Sequence, residues 1–358
     1  MAAGSVPAAA FAIRYVPEHE PVPATAERAA THDEQRKLTS ASRTPTPTPE
    51  PTAAPVPEPT ANSTATGEPT PRTPDPTPER ASTSPEPTRQ PPIDQGTRCA
   101  ASVLPEGGTE QTAIEEADDR YGTLDAVRVF ERVPSAWPGR AGLPERDVIV
   151  SLKMTPDQVL GGRYDERLRD WFRNAPTDRV IYWNLHHEPE DNVENGEFST
   201  EQFRQAWQRM AEFARESDHP KLYSTLILMD WTLDPLSERD WRDYYVPGDV
   251  DVLAFDVYNH GQKEDPQRYL GAEEQLSRIV QTAREVDKPF AIAELGSVRL
   301  PDDSDGTGRA AWIADLTAYL EEHDALWVAY FDIDHAPGMD FRLRDEASIA
   351  AWRDFCDR

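Results

Sequence analysis

Two glutamates in this sequence stand where a carboxylate is hard to explain as surface. Glu294 lies inside Phe290-Ala291-Ile292-Ala293-Glu294-Leu295-Gly296, an otherwise apolar run. Glu188 belongs to His186-His187-Glu188-Pro189-Glu190, which directly follows the β-branched and aromatic stretch Val180-Ile181-Tyr182-Trp183-Asn184-Leu185. A carboxylate within apolar sequence is costly to bury unless it is paired or used. Two carboxylates in one pocket can hydrolyse a glycosidic bond: one protonates the leaving oxygen and later activates water, while the other attacks the sugar. Such a division needs unlike surroundings, with the acid's pKa raised and the nucleophile ionised. Arg128 and Tyr258 are suitable partners for Glu294, whereas Glu188 has the more apolar neighbours. That order favours Glu188 as acid/base and Glu294 as nucleophile. The competing reading of Glu294 is an ion pair with Arg128 or Lys153.

Both glutamates need strands to hold them. Apolar runs predict strands over residues 97–104, 126–130, 147–154, 180–188, 222–231, 250–259, 289–297 and 325–334. Helical spacing predicts helices over 110–121, 164–174, 272–286, 308–323 and 345–356, and Ser199 with Gln202 opens a further one running to 216. Eight strands mostly separated by helices imply one closed parallel (β/α)8 barrel. The competing fold, a doubly wound open sheet, wants a glycine-rich loop after its first strand, and Gly107-Gly108 matches that poorly. A barrel of this kind carries its chemistry at the C-terminal ends of its strands. Arg128, Lys153, His187, Glu188, Asp230, Trp231, Asp256, Tyr258, Glu294, Asp332 and Asp334 would gather there. Alternation puts Phe290, Ile292 and Glu294 on the inner face of their strand and Ala291, Ala293 and Leu295 outside. It groups Tyr182, Asn184, His186 and Glu188 inward, so His187 reaches the site only if the strand end bulges. Glu190 reads as a solvated or loop-capping charge. Trp231, Trp183 and Tyr330 or Phe331 could stack on sugar rings; Trp183, mid-strand, fits core packing better.

Composition sets the frame around this block. The chain has 358 residues, 65 acidic and 37 basic, for a formal charge of −28, which disfavours nucleic acid and anionic lipid as partners. Residues 1–42 read as a disordered segment and 43–92 as a Pro/Thr-rich linker, since sequence such as Thr44-Pro45-Thr46-Pro47 has too little apolar surface to fold. The barrel is then residues 93–358. Nothing is apolar enough to span a membrane. The stretch Val6-Pro7-Ala8-Ala9-Ala10-Phe11-Ala12 lacks a basic flank, so no clear signal peptide is present, yet the spacer hints at a secreted or surface-held protein. The two cysteines, Cys99 and Cys356, bracket the block and are either bridged or two buried thiols. No metal-ligand spacing occurs, and neither a metal nor a cofactor is expected. A phosphate-binding aldolase- or isomerase-like barrel would want glycine-rich loops after strands seven and eight, for which Gly296-Ser297 is a thin candidate.

Leu185-His186-His187-Glu188-Pro189, Ala254-Phe255-Asp256-Val257-Tyr258 and Ala291-Ile292-Ala293-Glu294-Leu295-Gly296 together resemble retaining glycoside hydrolases of the (β/α)8 clan with catalytic glutamates on strands four and seven. The His187-Glu188 pair is similar to family 26, the β-mannanase group. The resemblance implies Glu188 as acid/base, Glu294 as nucleophile, His187 as a substrate and acid/base neighbour, and Tyr258 as hydrogen-bond partner of the nucleophile. It implies a polysaccharide or oligosaccharide substrate, bound with help from Arg128, Lys153 and Trp231, and a monomer acting without a cofactor. Pro189 stands where typical mannanases carry Met or Phe. The competing function is a non-catalytic carbohydrate-binding or surface structural protein that keeps the barrel.

Overall fold

In a computed structural model the described residues are 90–92, 96–102, 109–135, 137 and 146–358. The expected segments 1–42 and 43–92 lie outside them except for residues 90–92. Eight parallel strands close into a barrel in chain order. They are β1 (Arg98–Ser102), β2 (Ala126–Glu131), β3 (Asp147–Leu152), β4 (Ile181–Asn184), β5 (Leu222–Met229), β6 (Val252–Tyr258), β7 (Phe290–Gly296) and β8 (Trp327–Tyr330). The helices are α1 (Glu110–Tyr121), α2 (Pro156–Leu160), α3 (Asp165–Arg173), α4 (Glu190–Glu194), α5 (Thr200–Glu216), α6 (Ala272–Glu285), α7 (Thr307–Glu322) and α8 (Glu346–Cys356). The single (β/α)8 barrel expected from the alternation is the fold observed.

Local chemistry accounts for most element ends. Thr109 accepts from the Thr112 amide and starts α1, and Gly122 stops it at φ +88°. Ser199 and Gln202 form a reciprocal capping box at α5. Between β5 and β6, however, the chain makes 3-10 turns at Asp230–Leu233, Pro235–Ser237 and Trp241–Asp243 instead of an α-helix. Short α2 and α4 are additions to the expected pattern.

Two apolar layers result. Inside the barrel, Tyr182, Tyr223 and Trp327 are offset by Ala100, Ala126, Ala254 and Ala291 on other strands, so large and small side chains interlock. Outside, Val127, Val150, Trp183, Phe255 and Ile292 pack beneath Phe172, Trp207, Ile279 and Trp312 of the helices. Trp183 stacks on Trp207 with ring centroids 5.3 Å apart and belongs to this layer, as its mid-strand place implied.

The two cysteines are joined. Cys99 on β1 and Cys356 at the end of α8 form a disulfide with Cα atoms 4.9 Å apart, tying the first strand to the last helix across 257 residues. A crosslink over so long a loop restricts the unfolded chain strongly. Replacing both cysteines by alanine is expected to lower the unfolding free energy by about 2–5 kcal/mol. Urea unfolding monitored by tryptophan fluorescence measures this; an unchanged midpoint would show that the bridge contributes nothing to closure.

Candidate active site

Alternation delivers a charged cluster to the C-terminal end of the barrel. On β2, Val127 and Val129 belong to the outer layer, so Arg128 between them points inward. It is fully buried, and its guanidinium lies 3.0 Å from Asp256 Oδ1 and 3.0 Å from Glu294 Oε1. It also donates to Ser151 Oγ at 3.2 Å and lies over the Phe130 ring at 4.8 Å. Tyr258, two residues after Asp256 on the same face of β6, donates its hydroxyl to Glu294 Oε2. Its ring packs on Phe331 and Phe341. A Cβ at position 296 would stand 2.9 Å from Tyr258 Cε1, so Gly296 is what lets the ring lie against β7. Glu294 thus meets a guanidinium on one oxygen and a phenol on the other.

Glu294 gets there by an irregularity. Along the β6–β7 pairing, Phe255 faces Ile292 but Asp256 faces Glu294, leaving Ala293 without a register partner. The β7–β8 pairing shifts at the same place. This one-residue bulge corrects the expected alternation: Phe290 and Ile292 pack outside, Ala291 and Ala293 line the interior, and Glu294 follows Ala293 inward. Without the extra residue Glu294 would be directed at the helices.

Glu188 is placed by a second irregularity. Regular β4 stops at Asn184, and Glu188 has φ +48°, a left-handed conformation rare for a non-glycine residue. The break separates the two histidines. His186 turns away from the pocket, bonded to Met154 O at 2.9 Å and Asn192 Oδ1 at 3.0 Å, with its ring edge-on to Phe198. The expectation that His186 points inward is therefore corrected. His187 instead lies edge-on to Phe130, and neither ring nitrogen has a hydrogen-bond partner among the described residues.

Electrostatics distinguish the members. Burial raises the Glu188 pKa well above the usual carboxylate value, and the charges of Asp256 and Glu294 add to this while Lys153 opposes it. Asp256 is also raised, by burial and by Glu294, against the pull of Arg128. Burial, with Lys153 and Arg128, lowers His187 well below its ordinary value, so the imidazole is neutral. Burial lowers Lys153, whose amine donates to His187 O at 2.8 Å, against the raising pull of Glu188, Glu294 and Asp256.

Glu188, Glu294, His187, Arg128, Lys153 and Tyr258 are thus brought to one end of one pocket. Trp231 stands apart from these contacts, half-buried on the 3-10 turn after β5. Its ring centroid is 6.4 Å from that of His260, which pairs with Asp230 at 3.0 Å. Tyr330 faces outward onto Trp352, while Phe331 packs against Tyr258. Asp332 holds Arg120 and the Leu343 amide, and Asp334 pairs with Arg342, so neither joins the cluster. Asp256 was expected at this end of the barrel but was assigned no catalytic or binding role from the sequence. Its position two residues before Tyr258 was the available signal. Among the described residues no group of side chains has a metal-binding arrangement, and no helix is long and apolar enough to cross a membrane.

No family model matches the chain, and no curated protein matches its sequence. Solved structures do match. The family 26 glycoside hydrolase domain of an endo-β-mannanase/endo-β-glucanase from Prevotella bryantii aligns over 74% of this chain and 90% of that one, with TM-score 0.50 and 13% identity. The endo-β-1,4-mannanase of Thermotoga petrophila aligns over 74% and 77%, with TM-score 0.50 and 11% identity. The chain has the barrel fold of these glycoside hydrolases. At such identity the fold is what is shared, and the chemistry must be argued from the side chains present.

Glu190 departs from its expected solvated role. It is fully buried at the start of α4 and accepts from the Met229 amide at 2.9 Å and the Thr232 hydroxyl at 2.7 Å. Burial pushes its pKa up to about 7. An acid raised on folding binds its proton more tightly in the native state, so its contribution is complete below the unfolded value of about 4.3 and is lost as pH rises through 7. Glu190→Gln keeps an acceptor for both donors and removes the charge. The variant is expected to be more stable than the parent at pH 8, by at most about 3 kcal/mol, with the gap closing by pH 5. Thermal melts across that range check the sign.

Proposed function

We propose that the chain is a retaining β-glycoside hydrolase, endo-acting on a β-1,4-linked polysaccharide such as mannan, with Glu188 as acid/base and Glu294 as nucleophile. One observation carries this reading: the two glutamates belong to one interacting cluster at the end of the barrel but have opposed surroundings. Glu294 meets Arg128 and the Tyr258 hydroxyl, while Glu188 has no hydrogen bond to its carboxyl among the described residues and is held toward its protonated form.

In the first step an ionised Glu294 attacks the anomeric carbon as Glu188 gives its proton to the departing glycosidic oxygen. The C–O bond to the leaving group breaks and an ester to Glu294 forms. That ester removes the Glu294 charge, one of the causes that hold the Glu188 pKa up. With its pKa lowered, Glu188 stays ionised after giving up its proton and is available as the base that takes a proton from water. Water then replaces Glu294 at the anomeric carbon, so two inversions give net retention. Neutral His187 is buried beside Glu188, where it adds no charge to the carboxyl's surroundings. Trp231, on the neighbouring rim, is assigned as a platform for a sugar ring.

Both superposed neighbours are named β-mannanases, which places β-mannan first among substrates to try. The disulfide favours an oxidising compartment and supports export to the cell surface or medium. The competing reading, saccharide binding without turnover, takes its support from the Arg128–Glu294 ion pair, which a structural role alone would also produce.

A reducing-sugar assay over β-mannans, xylans and β-glucans should identify at least one substrate. Proton NMR of the first product should show the β-anomer. Glu188→Ala and Glu294→Ala should each lower kcat/KM by roughly 10²–10⁴-fold with unchanged circular dichroism. Full activity in folded Glu294→Ala would refute the assignment. Saturable binding of the same glycans with no product would favour the binding reading.

A further inference from the structure

The peptide unit between His187 and Glu188 is gripped from both sides. Its N–H donates to Ile227 O on β5 at 3.1 Å. Its carbonyl accepts from the Lys153 amine at 2.8 Å. The first contact falls after regular β4 has ended, past the last β4–β5 register pair, Trp183 with Ser224. The second likewise lies past the last β3–β4 register pair, Ser151 with Asn184. There a side-chain amine takes the place of a backbone amide as donor to the carbonyl. The next residue on the same strand end, Met154, gives its carbonyl to the His186 ring. The consecutive residues 153 and 154 therefore fix 187 and 186 in their opposite directions.

This grip acts where the backbone most needs it. A non-glycine residue in the left-handed region costs about 1–3 kcal/mol and persists only where its surroundings over-determine it. Glu188 is such a residue. Its side-chain direction depends on that backbone turn, and the turn is fastened by Lys153 and Ile227.

We propose that Lys153 is a positioning residue for Glu188, holding the peptide that aims its carboxyl and setting the pH range over which that carboxyl keeps its proton. The inference rests on the reading of Glu188 as acid/base, and it assigns Lys153 a task other than binding substrate. The groups facing Glu188 are Lys153 from the end of β3, Asp256 and Tyr258 from β6, Glu294 from β7 and Glu190 from α4. Arg128 on β2 is engaged by Asp256 and Glu294, and His187 is neutral. Lys153 is then the cation that offsets three nearby carboxylates at Glu188.

The test uses Lys153→Met and Lys153→Gln, which remove the charge, and Lys153→Arg, which keeps it. Gln retains a donor for the His187 carbonyl and serves where Met fails to fold. Loss of the cation should raise the Glu188 pKa. The alkaline limb of kcat/KM should move up by about one pH unit in Met and Gln, since a facing opposite charge shifts a carboxyl by about one to three units. In Arg it should stay near the parent's. The same variants should lose kcat, with KM changing little. Carboxyl 13C titration of Glu188, assigned by comparison with Glu188→Gln, should show the same upward shift without substrate. That measurement decides the role of Lys153 even where no glycan is turned over, a result that would count against the glycosidase reading alone. An unmoved Glu188 titration in Met and Gln would overturn the inference. So would a rise in KM with an unmoved alkaline limb, which marks a substrate ligand.

Discussion

The buried guanidinium of Arg128 is the interaction on which the candidate site depends. It sits among side chains that leave it no exposed surface and bridges carboxylates from two other strands. Removing one member of such a group would leave an uncompensated charge in a medium that solvates it poorly, at a cost of about 3–5 kcal/mol. The three strands β2, β6 and β7 are thus coupled through one cation. A barrel that only had to be stable could fill the same space with apolar side chains at no loss. Keeping Arg128, Asp256 and Glu294 together at this end of the barrel is therefore a cost to stability that hydrophobic packing does not require.

The cluster also shows how a regular scaffold is bent to a task. Regular alternation would direct Glu294 outward, toward the helices, and would bring His186 rather than His187 to the pocket. A bulge at Ala293 turns Glu294 in, and the left-handed turn at Glu188 ends β4 with His187 and Glu188 both on the pocket side. Each irregularity is anchored by neighbours: β7 by the Tyr258 ring against Gly296, and β4 by Lys153 and Ile227 on either side of one peptide. Precision at the site comes from these local constraints, with the barrel supplying the frame.

How much of this was legible in the sequence follows from the same physics. The strands and long helices were legible because their patterns are periodic: α1 runs from Glu110 to Tyr121 as its spacing and Gly122 imply. Arg128, Tyr258, Glu188 and Glu294 were legible because polar groups at strand ends of a barrel converge. The facing of β7 was not, since Ala293 is small enough to sit on either side of a strand and nothing in its neighbours marks a bulge. Glu190 looked solvated because its partners, the Met229 amide and Thr232, are about forty residues away in sequence and meet it only when β5 ends beside α4. The missing helix between β5 and β6 was legible only as an absence of helical spacing. Asp256 was expected at the barrel mouth but was given no role, because its partner lies on β2 and pairing across a barrel leaves no local trace.

Charge balance then narrows the roles. Among the described residues, Glu188, Asp256 and Glu294 stand near the cations Arg128 and Lys153, and Glu190 also feels Arg239, itself paired to Asp191 and Glu194. Four ionised carboxyls there would leave an excess of negative charge in a poorly solvated space, so a proton is retained. Asp256 is paired to Arg128, Glu294 to Arg128 and Tyr258, and Glu190 to a backbone amide and a hydroxyl. Glu188 has no such partner on its carboxyl, and it keeps a small opening to solvent at 7% exposure. The cheapest place for the proton is therefore the carboxyl best placed to hand it to an incoming molecule. The same imbalance that makes the cluster expensive to bury holds a proton on one of its acids.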